Sequence, residues 1–210
     1  ATYLMPALNA ALMDSTRIVA ITGQVARAFM GTEAFQECDT VGMATPVVKK
    51  AYLVMSPEEI GPIFRDAFRV AREGRPGPVL IDLPKDVQAE SFEFQYPDDE
   101  FEVQTATAAD ASQILEAVQL LNDAERPLFI VGRGVHASGA WDELLAIAEK
   151  ANVPVLNTLH GTSAFPRHHK LGYGMLGMHG MYWSNIASTE ADFIMGIGMR
   201  FDDRVIGRPG

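Results

Sequence analysis

Apolar residues along this chain come in blocks that do not alternate with polar ones. "RIVAITG", from Arg17 to Gly23, is a β-branched run closed by glycine. Apolar on both faces, it predicts a strand buried within a parallel sheet. The preceding "YLMPALNAALMDS" predicts a helix. A second helix is announced by Ser56, Pro57 and Glu59, the spacing of a capping box with proline at the first helical position. Apolar residues recur behind it at Ile60, Phe64, Phe68 and Ala71 before Gly74 ends the run. "PVLIDLP", ending at Pro84, predicts the next strand. From residue 89 to 106 the chain turns acidic, loses any helical period and carries Pro97, the marks of a linker between two domains. Beyond it follow a helix from Thr107 to Asn122, the strand "LFIVG", a helix from Ala140 to Ala151, and the strands "VPVLN" and "ADFIMGIG".

Strand and helix in alternation predict an α/β fold built as two parallel-sheet units. Length agrees, since 210 residues accommodate one large or two small domains at roughly 100 to 200 residues each. Charge narrows the partners. Acidic residues number 27 against 17 basic ones, a net charge of -10, which argues against nucleic acid or an anionic membrane. No apolar run reaches the ~18 residues of a membrane span. The single cysteine, Cys38, excludes an internal disulfide and reads as a buried apolar thiol. With no targeting signal in view, the expected compartment is the cytoplasm. Both ends look cut, at Ala1 before a helix that lacks a capping signal and at "VIGRPG" in mid loop, so the chain reads as a fragment.

Four stretches carry candidate chemistry. "GRGVHA", Gly132 to Ala137, fits G-x-G-x-x-A between a strand and a helix, where glycines let backbone approach a pyrophosphate at a helix N-terminus. The acid that a nicotinamide nucleotide requires about 20 residues later is replaced by Asn157 and Thr158. That leaves a nucleotide-shaped cofactor held in another way, or a tight turn. In "MLGMHGMYWSN" two glycines frame Met178 and His179, which by residue type alone read as packing. "FQECD" offers Glu37 and Asp39 for acid–base work, against the commoner fate of solvated loop acids. In "GRPGPVLIDLPKD", Lys85 stands at the carboxyl end of a strand, where parallel sheets gather ligands; Arg75 stands at the amino end and reads as structural. The five histidines lack ligand spacing with cysteine or carboxylates, so no metal site is expected, and His168–His169 reads as a solvated pair.

Taken together, "ITGQVARAFMGTEAFQECDTVGMATPVVKKAYLV", "GRPGPVLIDLPKDVQ", "MLGMHGMYWSN" and "GMRFDDRVIG" closely resemble the catalytic large subunit of acetohydroxyacid (acetolactate) synthase, a thiamine-diphosphate enzyme family. The resemblance runs along nearly the whole chain. It implies that residues 1–88 are the latter part of the domain gripping the thiamine pyrimidine, and that 107–210 are most of a Rossmann-like central domain that binds FAD. It implies a parent enzyme, a transferase that decarboxylates pyruvate and joins the product to a second 2-keto acid, pyruvate or 2-ketobutyrate, in branched-chain amino-acid biosynthesis. The glutamate that activates thiamine diphosphate and the Mg2+ site fall outside this stretch, so the fragment alone is expected to be inactive. The parent is expected to be a homodimer or tetramer, with a regulatory small subunit as a further partner.

Carried over by position, Gln36 resembles the glutamine beside the thiamine ring, and Phe35 its neighbour on the substrate channel. Lys85, Met178, Asp203 and Arg204 resemble residues of the channel for the second keto acid, with Arg204 receiving its carboxylate, for which a planar two-donor fork is suited. The implied FAD contacts are Arg75, Gly132, Arg133, Gly134, Thr158, Leu159, Leu176, Gly177, Met178, His179, Gly198, Met199, Arg200, Asp202 and Val205. On this basis His179 changes from packing to flavin contact and Arg75 from structural to cofactor anchor. The chain departs from the family at Tyr3, at Arg133 within the glycine turn and at His160. A sister carboligase, decarboxylase or oxidase is the alternative enzyme. An FAD- or nucleotide-binding module without catalysis is the alternative of another class.

Overall fold

A computed structural model describes residues 1–94 and 108–207. The chain divides into two compact units, Ala1–Thr107 and Ala108–Gly210. Most of the linker expected over 89–106, and Thr107 itself, lie outside the described residues.

The first unit comprises α1 (Met5–Met13), β1 (Ile18–Gln24), α2 (Thr40–Ala44), β2 (Lys50–Leu53), α3 (Ile60–Arg72), β3 (Pro78–Pro84) and α4 (Lys85–Ala89). Its strands form a parallel sheet in the order β1-β3-β2. β3 lies in the middle and is covered on both faces. Val79 and Ile81 pack with Ala67 and Ala71 of α3, while Leu80 packs on the other face with Leu8 of α1 and Ala44 of α2. Two covered faces are why "PVLIDLP" shows no polar alternation. The capping box forms: Ser56 and Glu59 satisfy each other's backbone, and the turn Pro57–Glu59 leads into α3. One periodic position differs from expectation, since Phe68 is half exposed and Ile63, Ala67 and Val70 share the core face instead. β2, four residues long with one lysine at its head, is too short to show a period, and α2 and α4 are single turns of similar length.

The second unit comprises α5 (Ala111–Asp123), β4 (Pro127–Val131), α6 (Arg133–Ser138), α7 (Trp141–Ala151), β5 (Val155–Asn157), β6 (Gly172–Met175), α8 (Tyr182–Glu190), β7 (Phe193–Ile197) and α9 (Asp203–Ile206). The parallel sheet has the order β6-β5-β4-β7. From β4 the chain winds outward through β5 to β6, then returns to place β7 on the other side of β4. The strand order therefore reverses between β4 and β7, the position where open α/β sheets take their ligands. Phe129 and Val131 pack on one face with Val135, Leu144 and Ala148. Leu128, Ile130, Leu156 and Leu176 pack on the other.

Two readings of single residues are corrected. His169 is half buried: its ring meets Phe165 edge-on at 5.3 Å, its Nδ1 accepts the Leu171 N–H at 3.2 Å, and its Nε2 lies 3.2 Å from Glu149. Cys38 is only half buried, with Sγ 3.8 Å from the Met43 sulfur, because it sits in a loop at the sheet's edge and not beneath the sheet.

Candidate functional site

In the first unit, chemistry gathers at the carboxyl edge of the sheet. Arg27, just past β1, ties three segments together. Asp86 accepts from its backbone N–H at 3.0 Å and its Nε at 2.7 Å, the Met55 carbonyl accepts from Nη1 at 2.7 Å, and Glu90 pairs with Nη2. The guanidinium holds the Asp86 carboxyl below its ordinary value. This clamp fixes the start of α4 and with it Lys85. Lys85 is exposed and has no hydrogen-bond or ion-pair partner among the described residues. Phe35 is 90% exposed. The two line a cleft of about 560 Å³ together with Val25, Ala26, Phe29, Ala34, Asp86 and Ala89. An uncovered phenyl ring and a free ammonium lining one cleft suit a small anionic ligand with an apolar part.

The loop that carries Phe35 and Gln36 is braced from within. Glu37 accepts from the backbone N–H groups of Gly31 and, at 3.1 Å, of Ala34. These amide bonds, the one from Gly31 foremost, lower its carboxyl below the ordinary value. Asp39 caps α2, accepting from the Gly42 N–H at 2.8 Å. The acids of "FQECD" are thus loop braces, not the acid–base pair weighed from the sequence. Gln36 adopts the left-handed conformation, with φ of 63°.

In the second unit the carboxyl ends of all four strands carry the residues singled out from the sequence. After β4 come Gly132, Arg133 and Gly134; after β5, Thr158 and Leu159; after β6, Leu176 to His179; after β7, Gly198, Met199, Arg200, Asp202 and Val205. Thr158 caps the short turn Leu159–Gly161 and its backbone N–H donates to the Val131 carbonyl at 2.9 Å. Leu159, Met178, His179 and Arg200 are exposed. That exposure contradicts the reading of His179 as packing. Leu176 is the opposite case, a core side chain.

"GMRFDDRV" resolves into separate duties. Asp202 caps α9, accepting from the N–H groups of Arg204 at 3.1 Å and Val205 at 3.2 Å, and pairs with Arg200 at 3.4 Å. Asp203 and Arg204 project outward with their charged atoms 3.6 Å apart. The Arg204 carbonyl accepts the Met178 N–H at 3.0 Å, and its Nη1 lies 3.3 Å from the Met178 sulfur. This approach passes over Gly177, with φ of +96°, where a side-chain carbon would lie 2.2 Å from the Arg204 carbonyl oxygen. Met178, Asp203 and Arg204 are therefore brought together.

The glycine motif makes the tight turn, one of its two readings from the sequence. The Gly134 N–H donates to the Gly198 carbonyl at 2.7 Å and the Gly132 N–H to Ile197 at 3.0 Å. Those amides close the switch between β4 and β7 on itself and are not free for a pyrophosphate. Arg75 does not lie at the carboxyl edge of its own sheet. At the amino end of β3, its Nε donates to Ser15 Oγ at 2.8 Å and its Nη2 to the Leu12 and Met13 carbonyls at 3.0 and 2.8 Å. It thereby caps the end of α1, the structural role its strand position predicts.

Sequence reasoning passed over Gln24, Arg27 and Asp82. A lone acid inside the run "PVLIDLP" was the available signal for Asp82, which is 1% exposed. Among the described residues no group of three or more His, Cys, Asp or Glu is placed to hold a metal ion, and no helix is long and apolar enough to cross a membrane.

Residues 114–210 match the family "Thiamine pyrophosphate enzyme, central domain". The chain is 44% identical over 212 residues to the "Probable acetolactate synthase large subunit" of Methanocaldococcus jannaschii, covering 99% of this chain and 36% of the relative. It is 43% identical over 208 residues to the "Acetolactate synthase isozyme 1 large subunit" of Escherichia coli, covering 99% and 37% respectively. Against the "Acetolactate synthase large subunit" of Corynebacterium glutamicum the identity is 43% over 209 residues, covering 99% and 33%. The chain spans about a third of the length of these relatives.

Proposed function

Residues 114–210 match the central domain of thiamine pyrophosphate enzymes, and from that premise we propose that this chain forms part of an acetolactate synthase large subunit. On this reading residues 1–88 are the latter part of the pyrimidine-binding domain, 89–106 the linker and 107–210 most of the central domain. The observation that supports it is the gathering of the family-type residues on one edge of the second sheet, at the four strand ends from Gly132 to Val205.

Thiamine diphosphate, when bound, supplies the electron sink for decarboxylating pyruvate and joining the product to a second 2-keto acid. This chain's residues would bind and orient. Gln36, at the tip of a braced loop, offers a side-chain amide beside the cofactor. Lys85 attracts a keto-acid carboxylate, and Phe35 covers the apolar part and excludes water. Met178, Asp203 and Arg204 form the second channel, where the Arg204 fork receives the incoming carboxylate.

FAD fits the second unit through the exposed Leu159, Met178, His179 and Arg200. The amides of Gly132 and Gly134 are already bonded to Ile197 and Gly198 and do not serve it; Arg75 belongs to the first unit. Arg133 is exposed. The groups holding Mg2+, and the glutamate that activates thiamine diphosphate, lie outside these 210 residues on this reading. A regulatory small subunit, a dimeric or tetrameric assembly and a cytoplasmic setting follow from the same kinship.

The test is to purify the longer protein that carries this chain and supply pyruvate, thiamine diphosphate and Mg2+. The expected result is acetolactate and a flavin absorption band, with neither product nor turnover from the 210-residue chain alone. A full-length protein that forms no acetolactate overturns the reading.

A further inference from the structure

Asp82 is the one acid in the centre of the first sheet's middle strand and is 1% exposed. No lysine, arginine or histidine pairs with it among the described residues. Burying a carboxyl is unfavourable unless its oxygens are hydrogen-bonded, and both are. Oδ1 accepts from the hydroxyl of Thr22, its register partner on β1, at 2.7 Å. Oδ2 accepts from Gln24 Nε2 at 2.9 Å. The same Gln24 nitrogen donates to the Cys38 carbonyl at 2.6 Å, and Gln24 Oε1 accepts the Val25 N–H at 2.9 Å. The Gln24 amide therefore cannot flip, because its oxygen would then face two acceptors.

We propose that Asp82 is a positioning residue that, through the Gln24 amide, fixes the loop bearing Phe35 and Gln36 at the mouth of the Lys85 cleft. The proposal rests on the function proposed above. Its geometry is a chain of bonds from the middle of the sheet to the loop: Thr22 to Asp82, Asp82 to Gln24, Gln24 to Cys38. The loop has other braces, Glu37 within it and Asp39 at its end, but those hold it to itself and to α2. Gln24 is the side chain that ties its carbonyl at Cys38 to the sheet. A core carboxyl without a cation serves packing poorly. It serves well as a two-acceptor anchor that dictates which end of Gln24 faces the loop.

Three variants of the full-length protein separate this role from simple stability. Asp82→Asn can keep both contacts, its oxygen accepting from Gln24 and its amide donating to Thr22, whose hydroxyl both gives and takes. Its kcat/KM for pyruvate should stay within about threefold. Gln24→Leu breaks the chain, and kcat/KM should fall by tenfold or more. The third variant exchanges the pair, Gln24→Glu with Asp82→Asn. It restores the bond between positions 24 and 82 but sets an acceptor against the Cys38 carbonyl.

Its melting temperature should return to within a few degrees of wild type while kcat/KM stays depressed tenfold. Recovery of both would sink the proposal and leave only a stabilising pair. Hydrogen exchange at the Gly31, Ala34 and Glu37 amides reads the loop without catalysis. It should quicken by tenfold or more in Gln24→Leu and in the exchanged pair, and not in Asp82→Asn. If wild-type protein makes no acetolactate, the function fails and the exchange data alone decide the relay; unchanged exchange in the broken variants overturns it.

Discussion

Gly134 and Gly198 meet backbone to backbone across the point where the second sheet reverses its strand order. The Gly134 N–H donates to the Gly198 carbonyl at 2.7 Å. A side-chain carbon on Gly134 would lie 2.5 Å from the Gly198 Cα, and one on Gly198, with φ of +58°, 2.7 Å from the Gly134 Cα. Neither backbone can retreat without parting β4 from β7. Gly134→Ala and Gly198→Ala should each cost about 2–4 kcal/mol of unfolding free energy in the absence of any ligand. Urea denaturation of the 210-residue chain measures this. Glycines needed only for a pyrophosphate would leave ligand-free stability unchanged.

Arg75 should matter to the first unit without any cofactor. Its guanidinium satisfies two carbonyls at the end of α1 and the Ser15 hydroxyl. Arg75→Ala should therefore lower stability by about 1 kcal/mol, since cationic donors at a helix C-terminus carry that order of energy when exposed. Circular dichroism melts of the unliganded chain would register the loss. An unaltered melt would return Arg75 to a role in ligand binding alone.

Arg75 and the glycine turn also mark where sequence and structure part. The α/β class and the strands of both sheets' centres were legible, because buried parallel strands such as Val79 to Ile81 and Leu128 to Val131 are continuously apolar. The edge strand β6 was not. "GYGM" contains two glycines, and its pairing with β5 includes a register irregularity, so neither composition nor period announces it. For Arg75, strand position predicts a structural role, and its bonds to Ser15, Leu12 and Met13 are of that kind. The motif "GRGVHA" has the right spacing for phosphate approach, yet spacing cannot tell whether glycine makes room for a ligand or for a neighbouring strand. Asp82 could be noticed as an acid in an apolar run, but its partners lie 58 and 60 residues away in sequence and only the fold supplies them.

Acid sensitivity should trace to Asp66. Its carboxyl accepts from the Tyr52 hydroxyl, from Lys50 at 2.9 Å and from Arg69 at 3.0 Å. These partners, the Tyr52 hydroxyl first, hold it well below the ordinary carboxyl value. A depressed folded value means that the stabilisation is fully present above the unfolded value near 3.9 and is lost as pH falls below it. Asp66→Asn should cost about 2 kcal/mol at pH 7 and at pH 5, with the gap from wild type narrowing below about pH 4. Urea midpoints at pH 7, 5 and 3 give the comparison, and a gap of equal size at pH 3 would refute the assignment.

Arg204 offers the sharpest test of the second channel. Its side chain makes few commitments within the unit: a 3.3 Å approach to the Met178 sulfur and a 3.6 Å pairing with the exposed Asp203. Surface pairs of that kind contribute little to stability, so replacing the side chain should leave the melting temperature nearly unchanged. The backbone carbonyl that accepts from Met178 survives any substitution and keeps the loop in place. What a substitution removes is the planar fork. A charge-assisted two-point contact to a carboxylate contributes about 1.5–3 kcal/mol, so Arg204→Gln in the full-length protein should raise the KM for the second keto acid by roughly 10- to 100-fold. Arg204→Lys keeps the charge but not the fork, and should recover part of that loss. Steady-state kinetics with pyruvate held constant and 2-ketobutyrate varied would measure it. Equal loss in Lys and Gln variants would mean that geometry, and not charge, carries the contact. No loss in either would remove Arg204 from the channel.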